Sequence, residues 1–505
     1  VGNEMSTDGQ PAEIGIVVAG SVTGGLKVKL HRTTPVESVS VGSYVTIHGK
    51  HERVFGMVTD VQLDSLDPAL VSLPPDLSDP FVSEVMEGTA YYGTLEVLPM
   101  LVVDPFTDET KPVRTVAPHF SLATRAIGDD VGKVFGVEDD EHLVIGSPLE
   151  MDAIEVVLDL EKVVQRSSGV FGKTGTGKTF LVRQLLAGFV KGHVASTLVF
   201  DMHNEYGWAG RDHERKRDVK GLKQLFPGRV VVLTLDAESS RRRGVKTDGE
   251  IQIGFSEIEP EDIEVLAEVL NLTEASRQVP YRLFREAGSR WLKNFLALDG
   301  EGMKELVERL GEHEATVQSL RRRLETLNRF PFLTPDGGNR VIEEVLQYLG
   351  RGYSVVLEFG RYGNNEVAYL LVANLITRRI HQGYVQRSER AMGDGALDMP
   401  QLVITIEEAH KFLSPTLANQ TIFGTIAREM RKTGVTLLVV DQRPSGIDEE
   451  VRSQIGTKLV CLLDNERDVD AVLSGVSGRT QLRQVLAGLD SVQQALLLGH
   501  ALPMP

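Results

Sequence analysis

Residues 172–179 read Gly-Lys-Thr-Gly-Thr-Gly-Lys-Thr, and no other segment restricts the fold so tightly. Three glycines within the first six residues cannot comfortably continue a helix or a strand. They can curl the backbone so that successive N–H groups converge on an anion. Just upstream, Val170 and Phe171 form a short apolar stretch, and downstream 180–186 is amphipathic at helical spacing. The spacing predicts a strand, a loop and then a helix opening near Lys178, with its positive dipole end towards the loop. The complete pattern G-x-x-x-x-G-K-[ST] is a phosphate cradle. Gly172, Lys173, Thr174, Gly175, Thr176, Gly177, Lys178 and Thr179 are therefore the candidate ATP-binding residues, with Lys178 reaching the β- and γ-phosphates and Thr179 ligating Mg²⁺.

Such a loop needs a sheet behind it. Apolar runs recur at 197–201, 230–235, 354–359, 402–406, 435–440 and 458–463. Continuous apolar strands of this kind belong to a parallel sheet covered on both faces. From about 258 to 335 no strand-like run interrupts a helical pattern that opens with Pro260 in its first turn, so a helical insertion is expected. The beginning of the chain differs. Short β-rich runs at 14–18, 27–30, 44–47, 54–58 and 92–98, separated by glycines and polar turns, suggest a small barrel. Residues 60–90, acidic and containing prolines, read as a long loop. The expected organisation is an N-terminal β-barrel over 1–115, a connector over 116–155 and an α/β core over 156–505.

A second candidate site closes the 402–406 run with Glu407 and Glu408. Open α/β sheets bind ligands beyond the carboxyl ends of their strands. Glu407 can enter the Mg²⁺ shell and Glu408 can orient and polarise an attacking water. Gln442, after the next strand, can sense the γ-phosphate by hydrogen bonding, and Asp201 with Glu205 can support the metal or the water from a third strand end. Arg166 precedes the loop; Arg428, Arg431 and Lys432 lie between Glu408 and Gln442. Cations in such places can stabilise transition-state charge.

A formal net charge of −17 excludes a protein that coats nucleic acid over its whole surface, while leaving room for a local basic lining. The single cysteine, Cys461, excludes an internal disulfide framework and fits a reducing cytoplasm. No apolar run approaches the roughly 18–20 residues of a membrane helix.

With these residues in view, the chain resembles the HerA branch of the HerA/FtsK family of ring ATPases. The resemblance rests on 172–179, 406–410 (Ile-Glu-Glu-Ala-His), 428–434 (Arg-Glu-Met-Arg-Lys-Thr-Gly), 441–444 (Asp-Gln-Arg-Pro) and 499–503 (Gly-His-Ala-Leu-Pro), with 14–17 and 41–45 resembling the family's small barrel. It implies a RecA-like P-loop ATPase core with a helical insertion behind the barrel. It also implies a homo-hexamer translocating on double-stranded DNA, working with a NurA-type nuclease in DNA end processing for recombinational repair. By motif position, Arg431 is implied as the finger offered to a neighbouring subunit, Arg166 as an arginine acting at its own nucleotide, and Gln442 as the sensor. The family usually carries Asp where this chain has Glu407.

DNA contacts are expected at Arg241, Arg242, Arg243 and Lys246, in a polar loop between strands, and at 321–323 on the insertion. Without interleaved aromatics these suit phosphate contact rather than base stacking. Two other readings remain: a VirB4-like secretion or conjugation motor, and a nucleotide-switched module without motor activity.

Overall fold

The computed structural model describes residues 12–504 except 73, 74, 77, 87, 105, 106, 108, 150, 153, 213–216, 338–340, 395–398 and 430–432. The chain forms two compact units: Val1–Asp159 with Gly172–Gly177 and Lys458–Pro505, and Leu160–Phe171 with Lys178–Thr457.

In the first unit, seven antiparallel strands run β1 (Glu13–Ser21), β2 (Gly25–Leu30), β3 (Tyr44–His48), β4 (Arg53–Ser65), β5 (Tyr91–Val103), β6 (Thr110–Pro112) and β7 (Leu122–Arg125). Their pairing order β2-β1-β7-β3-β4-β5, with β2 also paired to β5, closes six of them into a barrel and leaves β6 on the outer side of β5. Closure removes exposed strand edges. Leu26, Val28, Val45, Ile47, Val58, Leu95, Val97 and Ala123 fill the interior, as the period-2 alternation of strands requires.

Two expectations change here. The barrel needs β7, which lies inside the stretch expected to be a connector, because only this strand fills the gap between β1 and β3. The presumed 60–90 loop is in part strand: β4 continues to Ser65, and two short helices, Ala69–Ser72 and Pro80–Met86, precede β5. The end of the chain returns to the barrel. Gln481 Nε2 donates to Gly24 O at 3.5 Å, and the helix Arg479–Ala487 packs on β4.

The second unit is built on a parallel sheet. Its strands are β8 (Ser168–Phe171), β9 (Ser196–Asp201), β10 (Val230–Thr234), β11 (Ser354–Glu358), β12 (Leu402–Glu407) and β13 (Val435–Asp441). They lie in the order β10-β11-β9-β12-β13-β8. All these pairs are parallel, with Phe171 opposite Asp441 and Glu407 opposite Val440. The strand residues are almost uniformly buried, as two-sided coverage by helices demands. β8 is separated from β12 by β13 alone, so three strand ends come together at one sheet edge. This is an α/β RecA-like core.

The helical insertion is real and comprises five helices, Pro260–Val265, Glu274–Ala287, Trp291–Ala297, Gly300–Leu310 and Glu314–Leu324. A two-residue parallel ladder, Ile253–Gly254 against Leu333–Thr334, brings its ends together. Buried Asp262, at its start, accepts from Arg378 Nη2 at 2.6 Å and from Asn374 Nδ2 at 3.1 Å, both on the long helix Glu366–Asp394. Among the described residues no helix is long and apolar enough to cross a membrane.

Candidate active site

The loop behaves as its glycines require. Gly172, Gly175 and Gly177 have φ of +154°, +84° and +99°, values that side chains resist. A Cβ on Gly172 would sit 2.7 Å from Cys461 Cβ, whereas one on Gly175 would meet nothing within 4 Å. Gly172 is thus fixed by packing, and Gly175 leaves the space a phosphate needs. Thr176, buried, donates to Lys173 O at 2.8 Å and braces the turn. Lys173 Nζ lies 3.0 Å from Asp464 Oδ1, so this lysine serves an ion pair inside its own unit. The helix Lys178–Lys191 opens at Lys178, with Thr179 in its first turn. The chain leaves β8 at Phe171, beside Asp441, on the sheet edge where β12 and β13 also end.

Glu407 and Glu408 follow one another but face different surroundings. Glu407 is buried, and Tyr206 Oη donates to its Oε1 at 2.8 Å, while Oε2 has no hydrogen-bond partner among the described residues. Tyr369 Oη donates to the Glu407 carbonyl at 2.9 Å and accepts from its N–H at 3.2 Å. Burial, and then the nearby Asp201, push the Glu407 carboxyl up to about 8.

Glu408 turns out of the strand at φ +48°, a left-handed conformation that costs a non-glycine residue about 1–2 kcal/mol. Its side chain is partly open to solvent, and its Oε1 accepts from Gln442 Nε2 at 3.0 Å. Strain at a strand end is a common feature of active sites. His410 stands beside this turn: its N–H donates to Asp441 Oδ2 at 2.7 Å and its Nδ1 lies 3.0 Å from the same oxygen. The hydrogen bond to Asp441 holds the imidazole above its ordinary range. Buried Asp441 also accepts from Arg443 N at 2.7 Å, so one carboxylate organises the loops after both β12 and β13.

Lys178, Thr179, Glu407, Glu408 and Gln442 thus belong to the second unit and sit at the carboxyl ends of its strands or at the helix start that follows β8. The donor set suits a hard cation: a hydroxyl and two carboxylates, one of which keeps a buried oxygen without a partner among the described residues.

Other expectations change. Asp201 is fully buried, and its carboxylate accepts from the N–H groups of Glu205, Tyr206 and Gly207 at 2.7, 2.8 and 3.3 Å. Three of its acceptor positions tie a turn, so what the structure shows is support of the site through Tyr206. Arg166 precedes β8 and lies at the opposite edge of the sheet from the loop. β8 alone spans roughly 10 Å, so from this position Arg166 serves its own chain's nucleotide only with an extended side chain, or else a neighbouring copy's nucleotide. Arg241 and Arg242 are on a short helix, Ala237–Arg242, where a coil was expected. Arg242 pairs with Glu238, and Arg243 pairs with Glu358, whose side chain is fully buried. Arg243 therefore neutralises a core carboxylate and cannot be a phosphate ligand without stranding it. Arg241 and Lys246 remain exposed. Arg321 pairs with Glu325 on the insertion. Arg431 and Lys432 lie outside the described residues; Arg428, near the end of the helix Ile422–Glu429, pairs with Glu450 at 2.9 Å.

Sequence reasoning missed Tyr206, Tyr369, Asp441 and the part played by His410. Asp441 and His410 adjoin recognised residues and could have been found. Tyr369 sits within an unremarkable apolar helix, where nothing in the spacing marks it.

Residues 143–380 match the family described as Helicase HerA, central domain, and residues 14–80 match the HAS barrel domain. The DNA double-strand break repair helicase HerA of Pyrococcus furiosus is 25% identical, over 93% of this chain and 87% of its own length. The protein of the same name from Saccharolobus solfataricus is 23% identical over 92% and 87%. Among solved structures, VirB4 of Thermoanaerobacter pseudethanolicus has a TM-score of 0.43 at 16% identity, covering 72% of this chain and 97% of that one. The bacterial conjugative coupling protein TrwB gives 0.44 at 15%, covering 69% and 79%. With a HerA central domain behind a HAS barrel, and HerA relatives aligned along nearly its whole length, the chain belongs to the HerA-type P-loop ATPases.

Proposed function

We propose that this chain hydrolyses Mg-ATP and uses the energy to move along double-stranded DNA as a ring of its own copies, in the processing of DNA ends for repair alongside a NurA-type nuclease. The observation that carries the hydrolytic part is the bond between Gln442 and Glu408 at the edge where the phosphate loop leaves the sheet. A carboxylate that only capped a helix would need neither a strained backbone nor an amide from the neighbouring strand.

In this reading the loop N–H groups and Lys178 bind the phosphates, and Thr179 with Glu407 hold Mg²⁺. When bound, that ion would offset the negative charge that develops in the transition state. Glu408 orients the attacking water and takes its proton. Gln442 gives up Glu408 to bond the γ-phosphate, so the carboxylate is released for water when nucleotide is present. Arg431 completes the site of a neighbouring copy. The HerA names of the relatives support DNA as cargo, and exposed Arg241 and Lys246 are the phosphate contacts carried forward.

The test is the steady-state ATPase rate with and without linear duplex DNA, together with displacement of a bound roadblock. Stimulation by duplex and ATP-dependent displacement are expected. A rate indifferent to DNA would remove the cargo from the proposal while leaving the ATPase in place.

A further inference from the structure

Glu407 ends β12 with a side chain one methylene longer than Asp, and the structure shows what that length reaches. Its Oε1 accepts from Tyr206 Oη at 2.8 Å, in a place from which both side chains are withdrawn from solvent. The tyrosine is itself fixed from behind. The Asp201 carboxylate binds the N–H groups of Glu205, Tyr206 and Gly207 and thereby sets the turn that aims the ring. The Glu407 backbone is pinned separately by Tyr369 Oη, whose ring packs edge-on against Phe359 and Phe412 with centroids 5.2 and 5.1 Å away. Backbone and one carboxylate oxygen are therefore both held, and Oε2 is left without a partner among the described residues.

We propose that Tyr206 is a positioning residue for Mg²⁺: it tethers Oε1 of Glu407 so that Oε2 is presented to the metal shell. This rests on the Mg-ATP reading above. An Asp at 407 would draw the carboxylate back by roughly 1.5 Å, one carbon–carbon bond, out of reach of the Tyr206 hydroxyl. Hydrogen-bond partners of metal-binding carboxylates are worth about 10–100-fold in metal affinity. Among the described residues no other hydrogen bond reaches Oε1, and the charged groups around this carboxylate, Asp201, Glu205 and Glu408, are acidic.

The experiment is binding of a non-hydrolysable ATP analogue, titrated with Mg²⁺ and repeated in EDTA, on the wild type, Tyr206→Phe, Glu407→Asp and the double variant. Tyr206→Phe is expected to weaken the apparent Mg²⁺ affinity by about tenfold or more while leaving analogue binding in EDTA nearly unchanged, with a modest fall in melting temperature because the buried Oε1 loses its donor. Glu407→Asp should do the same, and the double variant should be no worse than either, because both break one interaction. A Mg²⁺ titration of Tyr206→Phe that overlays the wild type overturns the proposal. So does a loss equal in EDTA and in Mg²⁺, or full additivity in the double variant, either of which would mark Tyr206 as a structural residue only. A wild type that binds the analogue equally with and without Mg²⁺ would instead overturn the Mg-ATP reading beneath it.

Discussion

The phosphate loop and the acidic end of β12 serve one reaction but are prepared by different means. The loop is made by backbone: three positive-φ glycines, one threonine brace and a helix start, all within eight residues. The end of β12 is made by side chains from elsewhere. Tyr206 and Tyr369 hold Glu407, Gln442 holds Glu408, and Asp441 holds His410. A site written in backbone conformation is local and tolerates little change at its glycines. A site written in side-chain partners is dispersed, and its members fail separately.

The sharpest separation of the two regions comes from their central residues. Lys178→Ala should reduce hydrolysis to background and weaken nucleotide binding with it, since the lysine meets the phosphates before any chemistry. Glu408→Gln should keep ATP bound and cut turnover by about 10²–10⁴-fold, the range of a lost general base. Equilibrium binding beside steady-state rate distinguishes them. Near-normal turnover in Glu408→Gln would move the base elsewhere.

Next in size is Gly172→Ala. The added methyl meets Cys461 Cβ at 2.7 Å and the backbone must keep φ +154°, so nucleotide affinity should fall by about tenfold or more, given roughly 1.4 kcal/mol per tenfold. Gly175→Ala faces open space and carries only the conformational cost of its φ of +84°, about 1–2 kcal/mol. If Gly175→Ala proved the more damaging of the two in the absence of nucleotide, as read by thermal stability, packing against Cys461 would not be what fixes the loop.

These two regions also explain what could be read from the sequence. The loop motif is contiguous, so its strand, turn and helix were legible to within a residue or two. The buried strands were legible for the same reason, each being a continuous apolar run. The insertion was legible from the absence of such runs. β7 was not: four residues, Leu-Ala-Thr-Arg, carry too little pattern, and their role follows only from the gap they fill between β1 and β3. In the site, Glu407 and Glu408 were visible as a pair, but their division into one buried and one strained residue depends on tyrosines 201 residues before and 38 residues before Glu407. Arg243 misled because a run of arginines looks the same whether it faces DNA or a buried glutamate such as Glu358.

A smaller effect is expected at Tyr369→Phe. The ring remains in its aromatic stack, but the Glu407 N–H and C=O both lose the hydroxyl that serves them. Leaving buried polar groups unpaired costs about 1–3 kcal/mol, which chemical denaturation would register, with the urea slope unchanged. If stability were untouched, the pinning of Glu407 would have to come from the strand ladder alone.

The smallest effect, and the one that reads the dispersed site without any chemistry, is the pH dependence of Glu407→Gln stability in EDTA. In the fold the Glu407 carboxyl is pushed up to about 8, by burial first and by Asp201 second, against roughly 4.3 in an unfolded chain. Between those values the folded protein binds more protons than the unfolded one, so wild-type stability from this group is full below about pH 4, is lost as pH rises towards 8 and then levels off. Gln cannot titrate, keeps an oxygen for the Tyr206 hydroxyl and carries no charge to bury. The variant should therefore melt close to the wild type at pH 5 and above it at pH 8, with the gap opening through that interval. Asp201, raised to about 7 by its own burial, titrates in both proteins and is coupled to Glu407, so the relief it gains in the variant adds to the same gap above pH 7. Adding Mg²⁺ and an ATP analogue should reverse the order at pH 8, because the ionised carboxylate gains a cation that the amide cannot hold as well. A gap that stays constant with pH would show that Glu407 is ionised in the fold from acid pH upward, and the contrast drawn between the backbone-built loop and the side-chain-built strand end would lose its electrostatic half.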